Sequence, residues 1–305
     1  MGYLTLRNVS YKYPLDEREV LKNINIEIEK GDFLAIIGRN GAGKTTLCNI
    51  LRGFIPNFYK GEITGEVMLE GRRLSDYTTE EISQKIGFVF QNPFTQISGV
   101  KETVFEEVAF GLENLGMEKE KIKERVKEVL KLLEIEKIKD KNPYELSGGQ
   151  GQKVALASII AMDPEILVID EPTSQLDPKG TEDIFKIIEL LAEKGKTVIL
   201  VEHKIELIGE YAEKIVVLDE GEIILKGDTK EVLRNKLLME KEIGMPQYTV
   251  LAYKFSESCG DEKGYILNKI PVTKEEAVAE FKEIMKKKIK SFGNQEDENE
   301  FYKNG

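Results

Sequence analysis

The chain has 305 residues, of which 41% are hydrophobic and 32% charged, and its formal net charge at pH 7 is −11. A chain of this length and composition can bury one large core or two ordinary ones, which excludes global disorder. The acidic balance argues against a general nucleic-acid-binding protein, because neutralising phosphates requires clustered cations. The first residues lack the apolar stretch of a signal peptide, and no apolar run reaches the roughly 18–20 residues of a membrane span. We therefore expect a cytosolic protein, or one held at a membrane through partners.

The first third of the chain predicts strands. Apolar and polar residues alternate over 3–13 and 20–31, which is typical of antiparallel strands with one buried face. An apolar run over 33–38 (FLAIIG) predicts a fully buried strand, and 61–74 predicts a short strand pair with glycine turns. The segment 85–93 (KIGFVFQNP) predicts a further buried strand that ends at its Asn-Pro pair.

The rest of the chain alternates helices with strands. Helical spacing of apolar residues predicts a helix over 118–135, and the whole of 101–165 reads as a helical insertion. Buried strands are predicted at 165–172 (EILVIDEP) and 197–203 (TVILVEH), and a hairpin at 214–227. Strands that alternate with helices favour a parallel sheet with crossover connections. The pattern weakens after 227, where a helix over 273–290 and a frayed acidic tail over 294–305 are the remaining predictions.

Residues 38–45 (GRNGAGKT) match the phosphate-binding pattern G-x-x-x-x-G-K-[ST] and lie between a predicted strand and a predicted helix. The glycines let backbone N–H groups surround a phosphate, Lys44 reaches the β- and γ-phosphates, and Thr45 can ligate Mg²⁺ through its hydroxyl. An ordinary glycine-rich turn would not need both Lys44 and Thr45. The predicted nucleotide-binding residues of this segment are Gly38, Arg39, Asn40, Gly41, Ala42, Gly43, Lys44, Thr45 and Thr46.

Four polar residues follow predicted buried strands at the edge of the sheet where α/β proteins bind ligands. Asp170 ends one strand and supplies a carboxylate for Mg²⁺, and Glu171 could accept a proton from an attacking water. His203, the single histidine, ends another strand; a lone histidine is more often structural, but this placement favours a catalytic role. Gln91 ends a third strand, and its amide could contact either Mg²⁺ or the attacking water.

A second phosphate site is predicted at 146–158 (LSGGQGQKVALAS). Ser147, Gly148 and Gly149 leave the backbone bare before a predicted helix. The unpaired N–H groups of a helix N-terminus, together with the helix dipole, favour an anion. One chain would thus carry two separate phosphate sites.

Taken together, these residues resemble the ATP-binding cassette (ABC) ATPases over roughly 3–227. The resemblance comprises the P-loop, the Q-loop glutamine Gln91, the signature LSGGQ at 146–150, the Walker B strand ending in Asp170–Glu171, the D-loop SQLD ending in Asp177, and the switch histidine His203. Tyr13 stands where the family places an aromatic ring against adenine.

The resemblance implies an α/β fold: a P-loop NTPase core with a mixed, mostly parallel sheet, an antiparallel β subdomain and an inserted α-helical subdomain. It implies a nucleotide-binding domain over 1–227, with the helical insertion at about 101–165. Residues 228–305 lie beyond this resemblance; we expect them to form a small C-terminal α/β extension with the frayed acidic tail, and similarity to the ECF group described below implies that this extension could stabilise a dimer.

The resemblance also implies roles for individual residues. ATP and Mg²⁺ are the implied cofactors, with Thr45, Gln91 and Asp170 around the metal. Glu171 would act as general base, His203 would steady the γ-phosphate, and Lys44 would complete the catalytic set. Two cassettes would pair head to tail, with the signature of one facing the ATP of the other. The implied nucleotide contacts outside the P-loop are Tyr13, Gln91, Ser147, Gly148, Gly149, Gln150 and Asp177.

One position departs from the family pattern. Gly151 follows the signature where the family commonly carries lysine or arginine. A glycine in the first helical turn costs about 0.5–1 kcal/mol relative to alanine. We expect a weaker grip on the nucleotide rather than loss of activity.

Residues 91–116 closely resemble the ATPase subunits of energy-coupling factor (ECF) transporters, which import vitamins and metal ions such as cobalt or nickel. In that group a short extra helix, here around Gln96, helps form the groove for coupling helices of a transmembrane subunit. The cluster Glu102, Glu106 and Glu107 could face arginines of those helices, or could form a solvated helical face.

The ECF resemblance implies a peripheral protein on the cytoplasmic face of the cell membrane. Its partners would be a transmembrane coupling subunit, a substrate-binding membrane subunit and a second ABC ATPase, as a homodimer or a heterodimer; no nucleic-acid partner is expected. Two alternatives are a cassette of another ABC importer and a soluble ABC ATPase in translation or DNA repair. The single P-loop and the short insertion argue against the second.

Overall fold

The computed structural model describes residues 2–259 and 267–286, so the acidic tail predicted over 294–305 lies outside the described residues. The chain forms two compact units. The first comprises the residues up to His203 together with Tyr211–Gly227. The second takes the residues from Asp228 on and, in addition, Lys204–Glu210.

The strands of the first unit form two sheets. The strands are β1 (Leu4–Lys12), β2 (Leu21–Ile28), β3 (Phe33–Gly38), β4 (Glu62–Leu69), β5 (Arg72–Arg73), β6 (Ile86–Val89), β7 (Ile166–Asp170), β8 (Thr197–Val201), β9 (Lys214–Asp219) and β10 (Glu222–Asp228). A four-stranded sheet has the order β2-β1-β4-β5, and a six-stranded sheet has the order β10-β9-β3-β8-β7-β6.

The pairing of these strands follows the predicted patterns. The alternating segments β1, β2 and β4 pair antiparallel, whereas β3, β6, β7, β8 and β9 form a parallel ladder. Every residue of β3, β7 and β8 is buried, as uniformly apolar runs in a parallel sheet require. The two-residue turn Glu220–Gly221 joins β9 to its neighbour β10 and confirms the predicted hairpin.

The helices of the described residues are α1 (Lys44–Leu51), α2 (Phe54–Asn57), α3 (Thr79–Lys85), α4 (Val104–Asn114), α5 (Lys119–Leu132), α6 (Gly148–Ala161), α7 (Pro178–Glu193), α8 (Ile205–Tyr211), α9 (Thr229–Leu233), α10 (Leu237–Glu240) and α11 (Gln247–Cys259), with a further helix over 274–286. The insertion between β6 and β7 consists of α4, α5 and α6, with two short 3₁₀ turns between α5 and α6. The mixed α/β fold with an antiparallel sheet and a helical insertion is therefore confirmed.

The described part of the second unit is helical, whereas an α/β extension was expected. Its described residues after Asp228 form helices, and no strand occurs among them. The sequence explains this locally: Asp228 caps α9 by accepting hydrogen bonds from the N–H groups of Lys230 and Glu231. Over 274–286 the apolar residues Ala277 and Ile284 are buried at helical spacing.

Parallel pairing brings the candidate site residues to one edge of the six-stranded sheet. Val89 pairs with Ile169, and Asp170 pairs with Val201, so β6, β7 and β8 end side by side. β3, which leads into the P-loop, pairs with β8 up to Val201. The loops after all four strands consequently emerge together.

Candidate nucleotide site

The P-loop, residues 38–45, runs from the last residue of β3 to the second residue of α1. A Cβ atom at Gly38 would lie 2.2 Å from the carbonyl oxygen of Leu218, so only glycine fits this close approach to β9. Gly43 caps α1 with a left-handed φ of 102°. The helix has no side-chain cap and no acidic residue in its first turn, which leaves its N–H groups and its dipole to an anion.

Lys44 places its charge inside this loop. The residue is 6% exposed, and its Nζ donates to the carbonyl oxygens of Gly38 at 2.9 Å and Arg39 at 3.1 Å. Burial lowers the pKa of Lys44, while the charges of Glu171 and Asp170 act in the opposite direction. The other predicted P-loop residues lie at its surface (Arg39, Asn40, Gly41, Thr45) or beneath it (Ala42, Thr46).

Asp170 and Thr45 offer oxygen ligands for a metal ion. Asp170 is 6% exposed, and its Oδ1 atom is buried without a hydrogen-bond partner. Burial raises the pKa of Asp170, and a hydrogen bond with the Thr45 side chain partly offsets this effect. Within the described residues, no group of three or more Asp, Glu, His or Cys side chains has an arrangement that could hold a metal ion by itself. An orphaned carboxylate oxygen beside a hydroxyl fits Mg²⁺, which usually takes one or two protein ligands together with phosphate oxygens and water.

Glu171 is held between Gln91 and His203. The Gln91 amide nitrogen donates to Glu171 Oε2 at 2.7 Å, and His203 Nε2 lies 2.8 Å from Glu171 Oε1. Glu171 itself has a left-handed φ of 47°, and its N–H donates to the carbonyl oxygen of Val201 at 2.9 Å. Such backbone strain at a non-glycine residue is typical of functional sites. A carboxylate fixed in this way can accept a proton from water.

The sequence predicted that the two partners of Glu171 end strands, and this prediction is wrong. β6 ends at Val89 and β8 at Val201, so Gln91 and His203 both lie two residues farther along. The ladder stops at these points because the neighbouring strand β7 ends at Asp170. Both side chains therefore stand on loops rather than on the rigid sheet.

Tyr13 lies beside the first turn of α1. Its hydroxyl is 3.1 Å from Thr46 Oγ1, and its ring makes an edge-on contact with the ring of Tyr11 at a centroid distance of 4.8 Å. The fold thus places Tyr13, which directly follows β1, against the P-loop helix, although the two are far apart in the sequence.

The N-terminus of the signature helix α6 is capped by side chains, whereas the sequence predicted unpaired N–H groups. Ser147 and Gln150 form a capping box: the Ser147 hydroxyl accepts the N–H of Gln150 at 3.4 Å, and the Gln150 amide oxygen accepts the N–H of Ser147 at 3.3 Å. This box does not use the N–H groups of Gly148 and Gly149. The helix N-terminus therefore keeps two candidate donors for an anion.

The signature and the D-loop line a groove of about 690 Å³. Asp177 caps α7 there by accepting the N–H of Gly180 at 2.6 Å. The residues that the groove takes from these two motifs are Ser147, Gly149, Gln150, Gln175, Leu176 and Asp177, and none of its lining residues belongs to 38–46. The two predicted phosphate sites of this chain are therefore separate.

Gly151 is buried, and a side chain at this position would point towards the Q-loop. A Cβ atom at this position would lie 3.4 Å from the Phe94 ring and 3.6 Å from Pro93 Cγ. Both rings belong to the 3₁₀ turn Pro93–Thr95, which follows Gln91. The helix that carries the signature thus packs closely on the Q-loop at this glycine.

The segment 91–116, which was predicted to form part of a groove for coupling helices, differs in part from that prediction. The extra helix around Gln96 is the single turn Pro93–Thr95, because Pro93 and the Asn92 cap support only a short turn. Glu107 cannot face a partner: it is 4% exposed and accepts hydrogen bonds from the N–H and hydroxyl of Ser98 at 2.8 and 2.7 Å. Glu106 closes a capping box with Thr103, and Glu102 is exposed.

Sequence reasoning missed one buried acid beside the site. Glu202 is 2% exposed and lies between β8 and His203. Its signal was a charged residue directly after the apolar run TVILV, where the strand pattern predicts burial.

Comparison with known proteins gives the family of this chain. Residues 21–174 match the family model described as ABC transporter. A protein from Pyrococcus abyssi named as an ABC transporter ATP-binding protein is 39% identical over 282 residues, which cover 92% of this chain and 98% of the relative. The chain belongs to the ABC transporter family. It is an ABC-type ATPase, and residues 38–45, 91, 146–150 and 170–171 lie within the matched part of the chain.

Further relatives point to one branch of the ABC transporter family. The energy-coupling factor transporter ATP-binding protein EcfA2 of Streptococcus thermophilus is 36% identical over 90% of this chain and 97% of its own length. The structure of cbiO1 from Clostridium perfringens, part of the ABC transporter complex cbiONQ, has a TM-score of 0.69 at 32% identity and covers 84% of this chain and 95% of its own.

A second solved structure is a dimeric ATP-binding cassette, MJ0796, in a post-hydrolysis state with ADP and Pi. Its TM-score is 0.65 at 34% identity, covering 74% of this chain and 98% of its own. Within residues 2–259 and 267–286 of the present cassette, no helix combines the length and apolar character needed to span a membrane.

Proposed function

We propose that this cassette is the ATP-hydrolysing subunit of an ECF-type importer and energises uptake of a vitamin or of a transition-metal ion such as cobalt or nickel. Likeness to EcfA2 over 90% of the chain, and to cbiO1 of the cbiONQ complex, supports this branch. The proposal places the cassette on the cytoplasmic face of the cell membrane. A transmembrane coupling subunit and a substrate-binding membrane subunit would be its partners.

The observation that carries the proposed chemistry is the carboxylate of Glu171 fixed by Gln91 and His203. Glu171 takes a proton from the attacking water while the water oxygen bonds to the γ-phosphorus, and the bond to the bridging oxygen of ADP breaks. Lys44 moves its N–H donors from the carbonyl oxygens of Gly38 and Arg39 to the β- and γ-phosphates. His203 steadies the γ-phosphate, and Tyr13 stacks on the adenine.

Mg²⁺ fits the remaining oxygen atoms of the site. Thr45 and Asp170 would hold it, with the Gln91 amide oxygen as a further ligand, and the unpartnered Oδ1 of Asp170 supports this assignment. When bound, the ion neutralises charge on the β- and γ-phosphates. The protein's part is to keep the Asp170 carboxylate buried and aimed at that position.

The separation of the two phosphate sites supports a head-to-tail dimer. The groove at the signature contains no P-loop residue of its own chain, so its anion would come from a second cassette. Ser147, Gly148 and Gly149 would then donate to the γ-phosphate held by the partner's P-loop, with Gln150 closing the cap. Asp177 would link the two sites. ATP closes such a dimer, and hydrolysis removes the bridging phosphate and opens it.

A mixing experiment tests the shared site. Lys44→Ala removes the P-loop cation, whereas Ser147→Asp retains a good helix cap but repels the γ-phosphate. Each variant alone should be inactive. A mixed dimer contains one site with an intact P-loop and an intact signature, so mixing the two proteins should restore part of the ATPase activity. Activity no greater than the sum of the separate variants would contradict the head-to-tail arrangement.

Purification from the native host tests the ECF branch. Tagged protein extracted in mild detergent should retain a transmembrane protein and a small membrane subunit, with or without a second cassette. The masses of the retained ATPases distinguish a homodimer from a heterodimer. Recovery of ribosomes or DNA-processing factors without any membrane protein would leave the ATPase intact and contradict the transport role.

A further inference from the structure

Glu202 joins the loop that carries Glu171 to the loop that carries His203. Its Oε1 atom accepts a hydrogen bond from the hydroxyl of Thr173, and its Oε2 atom accepts the N–H of His203 at 3.2 Å. Thr173 is fully buried and Glu202 is 2% exposed. The carboxylate thus contacts both loops in a region closed to water.

This link begins where the backbone ladder ends. The last paired residues of β7 and β8 are Asp170 and Val201, and the N–H of Glu171 still donates to the carbonyl oxygen of Val201. Beyond these atoms the Thr173–Glu202 hydrogen bond continues the connection through side chains. It therefore fixes the two loops at the point where β-pairing no longer does.

Burial of a carboxylate is expensive unless hydrogen-bond donors surround it. A hydrophobic residue at position 202 would continue the apolar run of β8 without that cost. The acid instead provides two acceptor atoms to two donors from different loops. The Thr173 carbonyl oxygen also accepts the N–H of Leu176 at 3.2 Å, so the same link anchors the start of the D-loop.

We propose that Glu202 is a positioning residue, which sets the distance between Glu171 and His203 by binding the Thr173 hydroxyl and the His203 N–H. The inference rests on the proposed roles of Glu171 and His203 in hydrolysis. It adds a buried residue that acts through the geometry of those two side chains.

The chemistry of the link gives a graded set of variants. Glutamine at position 202 can still accept the His203 N–H and can donate to the Thr173 hydroxyl, so Glu202→Gln keeps a weakened link. Glu202→Met has similar length and removes both acceptors. Thr173→Val removes the hydroxyl at constant shape, and Thr173→Ser retains it.

The test measures kcat and KM for ATP of the full chain. Glu202→Met and Thr173→Val should each lower kcat roughly 10–100-fold and leave KM within about twofold, because the phosphate contacts of the P-loop are untouched. Glu202→Gln and Thr173→Ser should retain most of kcat. The double variant Thr173→Val/Glu202→Met should lose no more than Glu202→Met alone, since Glu202→Met already removes the Thr173–Glu202 hydrogen bond.

Thr197→Val is the matched control. Thr197 is a fully buried threonine at the opposite end of β8, and its hydroxyl accepts the N–H of Gly31 at 2.9 Å. This variant should lose stability in the same way as Thr173→Val but keep the kcat of the wild type. Equal kcat losses in Thr197→Val and Thr173→Val would show that the loss of kcat follows from lower stability alone, and would overturn the inference.

Two further results separate the inference from the proposed function. Wild-type kcat in Thr173→Val and in Glu202→Met would overturn the positioning role even if Glu171→Gln is inactive. Full activity of Glu171→Gln would instead overturn the proposed function and the inference with it. If Glu202→Met does not fold, Thr173→Val with its serine and Thr197 controls decides the question.

Discussion

His203 Nε2 lies 2.8 Å from one oxygen of Glu171, and the Gln91 amide nitrogen lies 2.7 Å from the other. Both donors stand on loops two residues beyond the ends of parallel strands, β8 and β6. A displacement of either loop therefore changes the surroundings of the carboxylate without disturbing the sheet. The site is a set of loops converging on one acid.

Glu171→Gln should separate ATP binding from hydrolysis. Glutamine has the size of glutamate, but its amide cannot take a proton from water, so kcat should fall about 10²–10⁴-fold. Binding of ATP should persist, and closed dimers should accumulate in size-exclusion runs with ATP. Glu124→Gln, an exposed change on α5, serves as the control and should retain full activity. Normal turnover of Glu171→Gln would show that Glu171 is not the general base.

His203→Ala should reduce kcat with little effect on folding. The side chain is 46% exposed, so the unfolding temperature should change by less than about 2 °C. Loss of its contact with Glu171 and of its proposed contact with the γ-phosphate should lower kcat about 10²–10³-fold. His203→Gln keeps an N–H donor and should lose less. Equal kcat values for the alanine and glutamine variants would argue against a donor role.

Gly151→Ala should stabilise the protein. The added methyl group would lie at ordinary packing distance, 3.4 Å, from the Phe94 ring, and alanine favours a helix interior by about 0.5–1 kcal/mol. Urea unfolding should show this gain with unchanged ATPase activity. Gly111→Ala in α4 is the contrasting variant, because its Cβ would lie 2.6 Å from the sulfur of Met162 and should cancel the gain. A loss of stability in Gly151→Ala would mean that Phe94 cannot adjust.

Glu276 should make the second unit sensitive to acid. Burial acts to raise the pKa of Glu276, but hydrogen bonds from Lys230 and from the Val272 N–H, with the charges of Lys230 and Arg234, lower it from 4.5 to about 2. Its stabilising contribution is therefore present above pH 4.5 and is lost as the pH falls towards 2.

Thermal unfolding of Glu276→Gln at several pH values measures this contribution. The variant should unfold at a lower temperature than the wild type at pH 7, and the difference should shrink as the pH falls from 4.5 towards 2, where Glu276 becomes protonated. Glu275→Gln changes the exposed neighbour and should show no such convergence. A gap between wild type and Glu276→Gln that is independent of pH would contradict the ion-pair origin of the effect.

The sheet and the P-loop could be predicted because their signals are local. The runs FLAIIG, ILVID and TVILV are apolar throughout and became fully buried parallel strands. Residues 38–45 combine glycines, lysine and threonine at a spacing that few other structures require. Asp170 and His203 could then be assigned to one edge because parallel strands end together.

Side-chain partnerships across the sequence could not be predicted in this way. Glu107 was expected on the surface, but Ser98 from the preceding loop supplies two donors that allow its burial. Glu202 is buried for the same reason, with Thr173 and His203 as donors. Both buried acids depend on donors whose positions only the folded chain defines. The capping box of Ser147 and Gln150 is different, because its S-x-x-Q spacing is a pattern that the sequence itself contains.

Gln96 connects two parts of the cassette through a single side chain. Its amide oxygen accepts the N–H of Phe90 at 3.1 Å, and its amide nitrogen donates to the carbonyl oxygen of Ala155 in α6 at 2.7 Å. Phe90 is the residue before Gln91, and α6 is the helix that begins with the signature. Gln96 therefore couples the position of α6 to the backbone next to Gln91. If a second cassette docks on the signature helix as proposed, this one side chain would carry a displacement of α6 to the residue that donates to the Glu171 carboxylate.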